Sequence, residues 1–261
     1  MGTLLHSPPV YLTLAQVRFN PVLALSGYVP TIQEAFRRAG YPDFKRLNVV
    51  SIQLGSNSGG GSAPVALPCE RFQFGDVAAT QVFMLDAQGF TLQSTDYGNF
   101  EAFSSRFMAG LSIVHEAVGL AFTERVGLRF LDRVMPQAGE TLQQYLVGSA
   151  HGLNSCLAGR PLHSYMEALN EVGGIKLLAR VVVQDGPLAF PPDIQPNEMK
   201  VQSRFASFVG PSAILDNDGF MECRELFSFE AVEQQLRAIH EVVAAAFKAT
   251  VTPHALAAWG A

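Results

Sequence analysis

The segment covering residues 80–135 constrains the fold most, because its pattern changes from strand to turn, strand, helix and strand again. Residues 82–85 and 90–94 are short apolar runs. Between them, the tetrapeptide Asp-Ala-Gln-Gly at 86–89 starts and ends with residues typical of a hairpin turn. The segment therefore predicts a hairpin, followed by a helix and a third strand.

The helix is predicted to begin after Asn99 and to end at Gly119. Asn99 is a favourable N-cap, and glycine is suited to the left-handed conformation that often ends a helix. The apolar residues between them step by three and four, which is typical of a helix that buries one face. They are Phe100, Phe103, Phe107, Leu111, Val114 and Val118.

The strand after this helix, residues 124–135, alternates between apolar and basic side chains. Its apolar side carries Val126, Leu128, Phe130 and Val134, and its basic side carries Arg125, Arg129 and Arg133. Asp132 falls on the apolar side, where a carboxylate needs a partner or a position beyond the edge of the core. We expect the edge position rather than a catalytic role. The pattern thus predicts one core face and one charged face.

Four further elements are predicted in the first half of the chain. They are strands at 11–19, 49–54 and 71–74 and a helix at 30–39. The glycine-rich stretch at 55–62 lacks the Gly-Lys-Ser/Thr ending of a P-loop, so we interpret it as a surface loop.

This order of elements resembles an elaborated ferredoxin-like β-α-β-β-α-β half over residues 1–136. In that interpretation the first and last strands are parallel neighbours. Phe19 and Phe130 then share the face covered by helices, and Arg18 and Arg129 share the other face.

The second half, residues 137–261, predicts an antiparallel strand layer and a long C-terminal helix. The predicted strands are 175–184, 199–209 and 213–223, the last as one strand or a hairpin. Ser228 is the expected N-cap of the long helix, and Thr252-Pro253 begins a final short one. The predicted fold class is therefore α+β, with both halves packed as one compact unit.

The amino-acid composition and net charge of the chain argue against several classes of protein. The chain has 261 residues, of which 48% are hydrophobic and 16% charged, so it can bury a sizeable core. A net charge of −5 argues against nucleic-acid binding driven by overall charge and leaves only a local arginine patch. The three widely spaced cysteines are typical of buried thiols in a reducing cytoplasm, and the sequence has no apolar run long enough for a membrane span. We predict a cytoplasmic protein.

The basic side of residues 124–135 is the first candidate site. Guanidinium groups at strand spacing hold phosphate or carboxylate groups through paired hydrogen bonds. The candidate ligand-binding or partner-binding residues are Arg18, Arg125, Arg129 and Arg133. The alternative is a solvated face whose arginines pair with Asp or Glu residues of the second half.

Asp216 and Asp218 are the second candidate, because two carboxylates one residue apart on a strand project to the same side and can share a divalent metal. However, Asp-Asn-Asp-Gly is also common in turns, and the downstream Glu of a calcium loop is missing. No paired-histidine zinc motif or GxSxG nucleophile motif occurs. We therefore predict no cofactor and no metal, and a non-enzymatic protein is favoured.

Several short motifs resemble a sporadically distributed family of bacterial proteins of unknown function. They are QVRF at 16–19, GLRFLDR at 127–133, LDND at 215–218, and His240, Phe247 and Thr252 around the final helices. The resemblance covers nearly the whole chain, although Phe130 and Asp132 stand where we expect Tyr and Asn. The patchy distribution of that family implies an accessory gene of the kind found in anti-phage or toxin-associated loci, and implies no reaction.

The leading hypothesis is a cytoplasmic recognition protein that binds a protein partner through its arginine-bearing sheet face; a homo-oligomer is also open. One alternative is a binder of an anionic small molecule or nucleotide that uses Arg18, Arg129 and Arg133. The other is a metal-dependent nuclease that uses Asp216 and Asp218.

Overall fold

The structure, a computed structural model, describes residues 5–53, 65–159, 161–194 and 198–260. In chain order its elements are β1 (Val10–Phe19), α1 (Leu25–Arg38), β2 (Asp43–Gln53), β3 (Val65–Gly75), β4 (Gln81–Asp86), β5 (Gly89–Ser94), α2 (Phe100–Val118), β6 (Phe122–Val134), α3 (Leu142–Tyr145), a 3₁₀ helix (Gly148–Ser155), β7 (His163–Val172), β8 (Ile175–Asp185), α4 (Ser203–Ala206), β9 (Pro211–Leu226), α5 (Phe229–Thr250) and α6 (Pro253–Ala258).

The described strands form one sheet in the order β2-β3-β4-β5-β1-β6-β9-β8-β7. Every neighbouring pair is antiparallel. The prediction of a mixed α+β protein is confirmed at this level. Since β6 pairs with β9 along nearly its whole length, residues 1–136 and 137–261 contribute to a single sheet.

β1 and β6 are neighbours, but the prediction that they are parallel is wrong. Gln16 lies opposite Gly127, and Arg18 lies opposite Arg125. The reason is the crossover made by α2. β5 runs antiparallel to β1, and α2 carries the chain across β1 so that β6 runs in the same direction as β5.

One face of the sheet, here called the helical face, is covered by α1, α2 and α5. The predicted sides of β1 and β6 are correct, since both Phe19 and Phe130 belong to the core on this face. α2 begins at Asn99, whose side chain accepts a hydrogen bond from the Ala102 N–H, and ends at Gly119 in the left-handed conformation. The Ser228 side chain caps α5 in the same way.

The opposite face is crossed by residues 186–194 and 198–210, here called the crossing segment. Residues 199–209 were predicted as a strand, and that prediction is wrong. They form one short helix, α4, with irregular flanks, while Met199, Val201 and Phe205 pack against Tyr11 and Leu12 of β1. The apolar residues of this segment therefore cover a sheet face through their side chains instead of pairing at a sheet edge.

Other expectations differ from the structure in smaller ways. The expectation of three buried thiols is wrong, because Cys156 and Cys223 are exposed and Cys69 is only half-buried. The glycine-rich stretch at 55–62 lies outside the described residues. None of the described helices combines the length and the apolar character needed to cross a membrane.

Gly219 on β9 lies directly beneath α5, and we expect Gly219→Ala to destabilise the fold. A Cβ at this position would lie 2.7 Å from Ile239 Cγ2 and 2.8 Å from Val243 Cγ2. Overpacking of this kind should lower the free energy of unfolding by about 1–3 kcal/mol, because side chains or backbone must move. Urea denaturation followed by circular dichroism measures the change.

Gly27→Ala is the matched control. No heavy atom lies within 4 Å of its Cβ position, and Gly27 lies inside α1. Alanine should stabilise a helix interior by about 0.5–1 kcal/mol relative to glycine. Equal destabilisation by the two substitutions would contradict the close approach of α5 to β9.

Candidate functional site

Arg133 fastens the crossing segment to the sheet. Its guanidinium is fully buried and donates hydrogen bonds to the carbonyl oxygens of Gly186, at 2.8 Å, and Phe205, at 2.5 Å. It also donates to Ser212 Oγ at 3.3 Å. These acceptors come from the start and end of the crossing segment and from the start of β9, so Arg133 closes that segment as a loop. The sequence analysis suggested that Arg133 binds a ligand or partner, but its side chain is buried and is not accessible to one.

Arg129 is buried in a double ion pair. It donates to both carboxylate oxygens of Asp216, from Nε at 2.6 Å and from Nη2 at 2.7 Å. It also bonds Asp193, which lies on the crossing segment. Burial alone would lower the pKa of Arg129, but the hydrogen bonds with these two carboxylates raise it. Its charge is therefore already compensated within the chain.

Asp216 is the centre of a wider network. Arg180 of β8 donates to it at 3.1 Å and also donates to Glu167 of β7 at 2.7 Å. The Asp216 side chain is only 1% exposed, and both of its oxygens accept from guanidinium groups. This favours an ion-pair role over metal binding. Within the described residues, no group of three His, Cys, Asp or Glu side chains is placed to hold a metal ion.

Asp218 lies on the same face as Asp216 but is not part of that network. It faces Arg125 at 3.9 Å, and burial raises the pKa of its carboxyl group although Arg125 lowers it. The two predicted carboxylates therefore have different partners: Asp216 pairs with Arg129 and Arg180, and Asp218 faces Arg125. The alternation of β9 places them on one face as expected, while residues on β6 and β8 decide what they bind.

Arg18 and Arg125 are the two predicted arginines that retain access to solvent. They lie opposite each other, and Arg125 donates to Gln16 Oε1 at 2.6 Å while its guanidinium covers the ring of Phe220 at 4.5 Å. Arg18 is exposed. The structure therefore separates the four arginines into an accessible pair at one end of the face and a buried pair under the crossing segment.

β7 is a functional candidate that the sequence analysis did not find. It is an outer strand of the sheet and pairs with β8 along its full length. Among the residues whose side chains the structure describes, thirteen large apolar side chains are exposed, and six of them lie in or near β7. They are Leu153, Leu157, Leu162, Tyr165, Leu169 and Val172. The signal was hidden because Glu167, Asn170 and Glu171 interrupt the apolar pattern that predicts a strand.

The helical face contains a second arrangement that the sequence analysis missed, here called the polar gap: Thr13, Asp132 and Asn217. Thr13 and Asn217 lie opposite Phe130 on its two sides, and Asp132 follows two residues later on β6. All three are more than nine-tenths buried. The prediction that Asp132 lies beyond the edge of the core is wrong, because Phe130 belongs to one apolar cluster and Val134 to another.

No protein-family model matches the chain, and no curated protein sequence matches it. The resemblance to a sporadically distributed bacterial family therefore stays a prediction.

We expect Asp216→Ala to destabilise the protein strongly. The substitution leaves the buried guanidinium of Arg129 and that of Arg180 without their shared counter-charge, and breaking a buried ion pair costs about 3–5 kcal/mol. Chemical denaturation measures the loss. Arg18→Ala removes an exposed arginine from the same face and should change stability little. Comparable losses for both variants would contradict the network.

We also expect Asp132 to make stability depend on pH. Burial, with a contribution from Asp216, raises the pKa of Asp132 from 3.8 to about 8. The folded state then keeps a proton that the unfolded state releases above pH of about 4. Stability should therefore fall as the pH rises from about 4 to about 8 and change no further above that range.

Asp132→Asn should remove this decrease and make the variant more stable than the parent protein at pH 9. Urea titrations across the pH range measure it. Glu241→Gln, an exposed change on α5, should preserve the slope. A pH dependence that is identical in the parent and in Asp132→Asn would contradict the assignment.

Proposed function

We propose that the protein is a non-enzymatic recognition protein that binds an extended segment of another protein along the outer strand β7. The observation that carries the proposal is the concentration of exposed apolar side chains on and beside this strand. Clustered apolar side chains of this kind typically mark protein-protein contact sites.

The backbone of β7 supports the same function. Its hydrogen bonds to β8 use one side of the strand, and the other side faces outward at the end of the sheet. Natural outer strands are usually protected by lysine, proline, bulges or short length. β7 has ten residues, contains no Lys or Pro, and keeps an unbroken register with β8. Such a strand is suited to accept a further strand from a partner.

The side chains of β7 favour a partner of a particular chemistry. Glu167 and Glu171 are its charged residues, and no Lys or Arg lies between 163 and 172. Like charges opposite one another on paired strands are destabilising, and opposite charges are stabilising. A partner strand with basic and apolar side chains therefore matches β7 better than a second copy of β7 does.

The proposal gives the four predicted arginines different roles. Arg129 and Arg133 support the sheet and the crossing segment, so they enter recognition only by holding β6, β8 and β9 in place. Arg18 and Arg125 are accessible to an anionic group of the partner.

The broader assignment follows the sequence argument. The free cysteines support a cytoplasmic location. The antiparallel order β4-β5-β1-β6, with α1 and α2 on one face, supports treating the first half as an elaborated ferredoxin-like unit. An accessory role in a bacterial defence or toxin-associated locus rests on the resemblance alone.

A photocrosslinking amino acid at Tyr165 or at Val172 tests the proposal in native cells. We expect both positions to capture the same protein, because their side chains are exposed on either side of β7. The same amino acid at Tyr28, which is exposed on α1, is the control and should not capture it.

The captured protein is then purified and bound to the chain in vitro. We expect Leu169→Lys to weaken binding about tenfold or more, as loss of a central apolar contact does. Leu23→Lys, at an exposed apolar position far along the chain, should leave binding unchanged. Hydrogen exchange should slow in the amides of β7. Binding without slower exchange in β7, or crosslinking only between copies of this chain, would contradict the proposal.

A further inference from the structure

A small polar cavity lies between the crossing segment and the β2 end of the sheet. Asp43, Lys45 and Gln73 line it from β2 and β3, and Glu198 and Met199 line it from the crossing segment. Its volume is about 90 Å³. Because a cavity of about 150 Å³ accepts benzene, this volume suits a smaller molecule with only a few non-hydrogen atoms.

Gln73 has a buried side-chain amide that lacks a hydrogen-bond acceptor. Its side chain is on the face opposite the helical face, since its neighbours Phe72 and Phe74 belong to the core on the helical face. Gln73 is 3% exposed, and its Nε2 atom has no partner in the part of the chain that the structure describes. Buried polar side chains in native proteins are nearly always hydrogen-bonded. A molecule in the cavity that presents an acceptor would supply the missing bond.

Among the charged residues of the cavity, Lys45 and Asp76 are already hydrogen-bonded. Lys45 Nζ donates to Glu198 at 2.8 Å. Both carboxylate oxygens of Asp76 accept from Thr80, one from its N–H at 2.8 Å and the other from its hydroxyl at 2.9 Å. The Asp43 carboxylate lies 3.7 Å from Lys45 Nζ, which is too long for a hydrogen bond. Asp43 therefore keeps its capacity to accept a hydrogen bond from a ligand.

The charge of the cavity restricts the kind of ligand. Three carboxylates, those of Asp43, Asp76 and Glu198, face one ammonium group, that of Lys45. An anion is disfavoured by this negative balance and would have to displace Glu198 from Lys45. A simple cation has no acceptor for Gln73. A primary carboxamide is neutral, and it has both a carbonyl acceptor and two N–H donors.

Strand register brings the free donor and the free acceptor together. Lys45 lies directly opposite Gln73, and Asp43 lies opposite Gly75 two residues further on. Asp43 and Gln73 are thus diagonal neighbours on one face, at positions about 7–8 Å apart. The carboxylate of Asp43 lies over Gly75, 3.4 Å from where a Cβ would be. A small carboxamide beside it can therefore accept from Gln73 and donate to Asp43.

The backbone around the cavity is held in an unusual conformation. Among the residues that the structure describes, Ala79 and Glu198 are the two non-glycine residues with positive φ, at 57° and 63°. Both line the cavity, and the N–H of Lys200 donates to the carbonyl oxygen of Ala79 at 2.7 Å. Non-glycine residues in this region are concentrated at ligand sites, where the surrounding structure holds them in place. The two walls of the cavity are thereby fixed to each other.

We infer that this cavity binds a small primary carboxamide, with Gln73 donating to its carbonyl oxygen and Asp43 accepting from its N–H. β2 and β7 are at opposite ends of the sheet, so this site is independent of recognition through β7.

An NMR titration of the full ¹⁵N-labelled chain with acetamide tests the site. We expect saturable shifts of the Gln73 side-chain amide signals, with a Kd on the order of millimolar because four non-hydrogen atoms make few contacts. Three compounds of similar size should give no saturable shift. Acetate is an anion without N–H groups, N,N-dimethylacetamide has no N–H donor, and methylammonium has no acceptor.

Gln73→Met removes the N–H donors and keeps an unbranched side chain of similar length, so it should weaken acetamide binding at least tenfold. Asp43→Ala should weaken it several-fold. Gln93→Met is the matched control, because Gln93 is a buried glutamine on the same face of the sheet but does not line the cavity. It should leave the Kd unchanged.

The stability of Gln73→Met gives a second measurement. Since the substitution removes a buried atom without a partner, the variant should unfold at the same urea concentration as the parent protein or at a higher one. The inference is overturned if acetamide gives no saturable shift at tens of millimolar, if N,N-dimethylacetamide binds equally well, or if folded Gln73→Met keeps the Kd of the parent protein.

Discussion

The structure depends on the alternation of apolar and charged side chains along β6. Its apolar residues pack in the core on the helical face, and its arginines make ion pairs and hydrogen bonds on the opposite face. On one face, Arg129 joins Asp216 and Asp193, and through Asp216 the network continues to Arg180 and Glu167. This connects β6, β9, β8, β7 and the crossing segment. Desolvation offsets much of the energy that a buried ion pair gains, so we attribute to this network the fixing of strand register more than net stability.

The elements that local periodicity determines could be predicted from the sequence. α2 and β8 were predicted within a residue of their observed ends, because spacing, caps and turns set them locally. The direction of β6 relative to β1 was not predicted, because it depends on which side of β1 the α2 crossover ends. The crossing segment was mistaken for a strand because its apolar spacing does not reveal whether side chains or backbone make the contact.

The candidate site was predicted less well than the fold, for a related reason. The sequence placed the arginines on the correct face but could not show that Asp216 and Asp193 neutralise Arg129 from 87 and 64 residues away. It could not show that the acceptors for Arg133 are backbone carbonyls either. A row of arginines on a strand therefore predicts charge on one face, and only tertiary pairing determines whether that charge remains for a ligand.

The same alternation that gives β6 its ion pairs deprives Asp132 of one. If the chain were a helix here, Asp132 could pair with Arg129, because residues three and four apart share a side of a helix. On a strand, Arg129 and Arg133 are on the opposite face from Asp132, which enters an aromatic core instead. β6 thus keeps its arginines on one face of the sheet and Asp132 on the other. The side of the strand on which a charged residue falls therefore decides whether it finds a counter-charge, as Arg129 does in Asp216, or is held in an apolar core, where burial raises the pKa of Asp132.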